Sequence, residues 1–89
     1  MHKHSILVCD IALSRSLSAR LTVTRNAIEE DVWVWTYILR REEMIASGET
    51  QTRLAAQVAS QRAHENWLHL NRKRFNVPSK VSYHWREVE

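Results

Sequence analysis

The chain has one glycine, one proline, one cysteine and one phenylalanine among its 89 residues. Each scarcity excludes something. A single glycine, Gly48, cannot build a glycine-rich phosphate cradle, so nucleotide-dependent phosphoryl transfer of the usual kind is not expected. A single cysteine, Cys9, cannot close an internal disulfide, which points to a cytoplasmic protein rather than a secreted one. Cys9 reads as a small buried hydrophobe rather than a reactive thiol. Long hydrophobic runs are also missing. Residues 6–13 are apolar, but Asp10 interrupts them and Arg15 follows, so the stretch is too short and too broken for a signal peptide or a membrane span.

Metal-ligand spacing is lacking as well. Five histidines are present, yet His2 and His4 sit at the start of the chain. His64 and His69 diverge around a helix instead of sharing the i, i+4 face a metal needs. No nucleophile has an evident base beside it. The expectation is therefore a protein that is not an enzyme, with no metal, no cofactor and no small-molecule substrate. One modest core is the most a chain of this length supports, and such chains often complete it on a second copy or a partner. The formal charge of +3 and the pI near 9.5 permit phosphate contacts without demanding them.

What is present reads first as helix. Proline is absent between Asn26 and Phe75, and the runs on either side of Gly48 both carry helical periodicity. Asn26 followed by Glu29 has the form of a capping box. Ile28, Val32, Trp35, Leu39 and Ala46 then make one stripe, with Trp33, Tyr37 and Met44 roughly opposite. Gly48 suits a helix C-cap because glycine takes the left-handed conformation without a steric penalty. Thr50 or Thr52 caps a second helix, whose apolar face is Ala55, Ala56, Ala59, Ala63, Trp67 and Leu70 and whose solvated side is Gln57, Gln61, His64 and Asn71. The fold class expected is mainly α: a single domain over residues 1–89, with helices at 26–47 and 49–75 around Gly48. Residues 1–25 are expected as an extended arm, a β-hairpin or a helix, and residues 76–89 as a short helix or strand. Leu17, Ala19, Leu21 and Val23 alternate with polar residues, the period of a half-buried strand. A buried strand over residues 32–39 is a further alternative, because its β-branched and aromatic residues favour sheet.

The function expected first is a small DNA-binding accessory or regulatory protein. Arg72, Lys73 and Arg74 form a basic cluster, followed by Asn76, Val77, Ser79, Lys80, Tyr83, His84, Trp85 and Arg86. Residues 70–86 resemble the turn and recognition helix of a helix-turn-helix module. Asn76 would take the left-handed turn position, Val77 would anchor it, Ser79 would cap the helix and Trp85 would close the core. The resemblance implies phosphate contacts by Arg72, Lys73, Arg74 and Lys80, with Ser79, Tyr83, His84 and Arg86 nearest the bases. A solvated helix end followed by a strand is the alternative, since Val81, Tyr83 and Trp85 also alternate. In element order alone the chain is also similar to ribbon-helix-helix repressors, which read DNA as dimers through paired strands. The second function is a small inhibitor or adaptor of the kind phages and mobile elements encode. It would bind a protein target, or a second copy, through Trp33, Tyr37 and Met44, because aromatic anchors carry interface energy.

Overall fold

The computed structural model describes residues 6–14, 17–29, 31–39, 43–73 and 81–88. Strands β1 (Ile6–Ala12), β2 (Ser18–Arg25), β3 (Trp33–Leu39) and β4 (Glu43–Thr50) are followed by helix α1 (Arg53–Asn71) and a short strand β5 (Arg86–Val88). They form one antiparallel sheet in the order β4-β3-β2-β1-β5, a meander closed by a last strand that returns to β1. A five-stranded sheet with one helix replaces the expected mainly α hairpin.

The amino-terminal expectation of a hairpin holds. Cys9 faces Leu21 and Ile11 faces Ala19 across the β1–β2 ladder, and all four are buried. The same period of two then carries through β3, where Leu21 opposes Tyr37 and Ala19 opposes Leu39. Residues 33, 35, 37 and 39 therefore share the helix-covered face, and Val34, Thr36 and Ile38 share the other. Thr22 and Thr36 pair their hydroxyls across β2 and β3 on that second face.

Residues 26–47 are thus not a helix. A run of Val, Trp, Thr, Tyr and Ile suits a pleated surface, and packing on both neighbours overrides any helical reading of its spacing. Asn26 does cap, but it caps a turn: its Oδ1 accepts from the backbone of Ile28 at 2.8 Å and Glu29 at 3.0 Å, and Asn26 N–H donates to the Val32 carbonyl at 2.8 Å. The side-chain chemistry that starts helices is the same that closes turns. Ile28, expected in the core, is 91% exposed at this turn.

Gly48 ends no helix; it lies inside β4, opposite Trp35. Its glycine is required by space. A Cβ built there would stand 2.7–2.9 Å from Nε1, Cε2 and Cζ2 of the Trp35 indole. In an open strand, alanine for glycine stabilises by about 0.4–1 kcal/mol through the unfolded chain. Here the indole, packed against the core, must move, and overpacking costs about 1–3 kcal/mol. Gly48→Ala is therefore expected to lower the melting temperature; a rise would show that Trp35 yields freely.

The second expected helix is real but shorter and turned. Thr52 is its N-cap, with the hydroxyl accepting from Ala55 N at 3.1 Å. Its buried stripe is Ala56, Ser60, His64 and Leu68, in steps of four. His64, expected in solvent, is fully buried, whereas Ala55 and Leu70, expected in the core, are exposed. α1 lies across β2, β3 and β4. Residues 81–85 form no helix, and Val81, Tyr83 and Trp85 pack against the core.

Candidate interfaces and a sealed polar cluster

Alternation from β1 and β5 turns Tyr83 inward, where its hydroxyl meets His64 Nδ1 at 3.1 Å. The His64 ring stands edge-on to Tyr37 at 5.2 Å and to Tyr83 at 5.8 Å between centroids. Nε2 of His64, the Tyr37 hydroxyl and Nε1 of Trp85 are buried with no hydrogen-bond partner among the described residues. Burial disfavours every charged form here. It pulls the His64 pKa down to about 4 and pushes Tyr83 up to about 12 and Tyr37 higher still. The buried Cys9 thiol is also raised, first by desolvation. An imidazole and a thiol that solvent does not touch have no access to substrate, so the cluster is part of the core.

The sheet's other face carries an ion-paired trio. Asp10 accepts from Arg20 Nε through Oδ1 and from Arg86 Nη2 through Oδ2, each at 2.7 Å. Both arginines hold the Asp10 carboxyl below the usual carboxylate range, Arg20 contributing most. Beside it, Asp10, Ala12, Ser18, Arg20 and Ile38, with the backbone neighbours Ile11 and Ala19, line a half-open hollow of about 780 Å³.

Helix α1 supplies a third surface. Arg62, Asn66 and His69 follow one another at i, i+4 and i+7 and are exposed, so one outward stripe of the helix carries them, and the exposed Lys73 lies just past its end. Arg72, the C-cap residue, is exposed beside Lys73. Cations there also favour the helix dipole.

The sequence-expected sites separate in this frame. Arg72 and Lys73 lie at the end of α1, while Arg74, Ser79 and Lys80 fall outside the described residues. Tyr83 is in the interior, whereas His84 is exposed and Arg86 is tied to Asp10 in β5. Residues 81–85 form no helix, so the expected recognition helix does not form over them, and the Tyr83 hydroxyl meets His64. The aromatic face also dissolves. Tyr37 is fully buried, Trp33 is half-buried with the Arg25 guanidinium 5.0 Å above its ring, and Met44 is 58% exposed. Met44 opposes Ile38, and so lies on the face away from Tyr37.

Sequence reasoning missed Asp10 and Arg20, and also Arg62, Asn66 and His69, which lead along α1 to the Arg72 and Lys73 it did name. The stripe had a signal in its heptad-like spacing. The trio had none, because it needs the β1–β2 register and the return of β5. Among the described residues, no group of three His, Cys, Asp or Glu side chains is placed to hold a metal, and no helix is long and apolar enough to cross a membrane. The chain matches no protein-family model, no curated protein and no solved structure.

Proposed function

We propose that this chain is a small, non-enzymatic accessory or regulatory protein of the cytoplasm that binds duplex DNA through the outer face of α1. One observation carries the reading: Arg62, Asn66 and His69 are exposed on one side of α1, with Arg72 and Lys73 exposed at its end. A helix of this width fits the major groove, and cations along it replace condensed counterions on phosphate. The net charge of +3 supports such contacts. Affinity for duplex DNA should fall steeply with salt. Arg62→Gln and Lys73→Gln should each reduce the log–log salt slope by about one unit, since each contact releases roughly 0.9 counterion. Gel-shift titrations read this directly. No binding at low salt, or slopes unchanged in both variants, would remove the nucleic-acid reading.

A protein target, or a second copy, is favoured by a different observation. Met44 is 58% exposed beside the half-buried Ile38 on the uncovered sheet face. An adaptor or inhibitor acting there would keep its activity when Arg62 and Lys73 are neutralised and lose it on Met44→Glu.

A further inference from the structure

The trio of Asp10, Arg20 and Arg86 is more ordered than surface charges need to be. Exposed ion pairs contribute little to stability, and all three side chains here are about half exposed. Their geometry has another consequence. Each oxygen of one carboxylate takes one arginine, so two guanidinium groups are held together by a single negative charge, and the trio keeps a net charge of +1. Arg20 is engaged through Nε, which leaves its terminal Nη edge directed away from that bond. A guanidinium edge is a planar double donor matched to a carboxylate or phosphate. Among the described residues, Asp10 is the acid that pairs with either arginine.

The hollow beside them supplies the second half of a site. Arg20 and Asp10 form one side, Ser18 offers a hydroxyl, and Ala12 and Ile38 add apolar surface. Ligand sites combine an apolar lining with a few polar groups that fix orientation. We propose that this hollow binds a small organic anion, a carboxylate or phosphate monoester on a short apolar body. Its anionic head pairs with Arg20, and its tail lies against Ala12 and Ile38. Asp10 positions the two cations and makes no ligand contact.

The site lies on the sheet face that α1 leaves uncovered, so it stands or falls independently of DNA binding by the helix. Side-chain Nε–H resonances of Arg20 and Arg86 in the full chain report on it directly, titrated with acetate, hexanoate and hexyl phosphate at constant ionic strength. Saturable shifts at Arg20 are expected, with hexanoate at least about fivefold tighter than acetate, the factor for taking one or two methylenes out of water. Whichever of hexanoate and hexyl phosphate saturates first identifies the head group. Arg20→Gln should lose about tenfold in affinity or more, as removal of a charge-assisted partner does, whereas Arg62→Gln should change nothing. Shifts that stay linear in concentration, or acetate and hexanoate curves that coincide, would overturn the proposal. Because the wild-type arginine signals report binding themselves, the outcome does not depend on either variant folding.

Discussion

Tyr37→Ala is expected to destabilise the protein by about 3–5 kcal/mol, the range for emptying a buried aromatic site. That is a large share of the stability of a domain this small. Tyr37 is fully buried, opposite Leu21 on β2 and Ala46 on β4, and edge-on to His64 under the helix. Its ring therefore joins three strands to α1. Tyr37→Phe separates ring from hydroxyl. Because that hydroxyl is buried with no partner among the described residues, its removal should be neutral or raise stability by up to about 1 kcal/mol. Urea unfolding of both variants checks the pair. A folded Tyr37→Ala protein with unchanged midpoint would return Tyr37 to the surface and restore the interface read from the sequence.

The second large effect is a loss of stability in mild acid. His64 has a pKa of about 4 in the folded protein, against 6.5 when solvated. Above pH 6.5 it is neutral in both states and costs nothing. Between pH 6.5 and 4 the unfolded chain takes up the proton and the folded chain does not, so stability falls as pH falls, by about 1.4 kcal/mol per unit and about 3 kcal/mol in all. Below pH 4 the folded state is protonated too, and His64 adds no further loss. Tyr37 and Tyr83 face the ring, and both stay neutral across this window because burial raises them. Asp10, whose carboxyl is held below its ordinary 3.8 by Arg20 and Arg86, begins to lose its contribution only under that value. Unfolding free energies at pH 7 and pH 4.5 should therefore differ in the wild type and converge in His64→Phe, whatever the absolute stability of the variant. A slope that survives the substitution would place the titrating group elsewhere.

Legibility in the sequence follows the physics of each element. Residues 17–24 alternate strictly between apolar and polar, because β2 is flanked on both edges and covered by α1 on one face, and that pattern was readable. The strand at 33–39 was legible only as an alternative, from its residue types, because Val34 and Ile38 remain apolar on the open face while Trp35, Tyr37 and Leu39 fill the covered one. With both faces apolar, a period of two is invisible, and the residue types were the remaining signal. Gly48 misled for a related reason. Glycine marks a left-handed backbone or a close approach, and only the position of the Trp35 indole tells which. The rotation of α1 was obscured by its small residues: Ala55, Ala56, Ala59 and Ala63 fit either side, and a buried histidine in the stripe ran against the expectation that imidazole seeks water. For the candidate surfaces, spacing along one helix was available in the residues themselves. The contact between Asp10 and Arg86, separated by 76 positions, was not.

That separation also orders how the domain assembles on a ribosome. The ladders β1–β2, β2–β3 and β3–β4 join consecutive strands, so their short loops close early at small entropic cost. The outer edge of β1 has no such local partner. Its backbone N–H and C=O groups at Ile6 to Val8 await Arg86–Val88, which follow β4 and α1 in the chain. Until then the nascent sheet presents an open edge on the β1 side, and unpaired edges recruit other chains. Chains cut before residue 86 thus carry the vulnerable edge, and docking of β5 on β1 is the step that covers it.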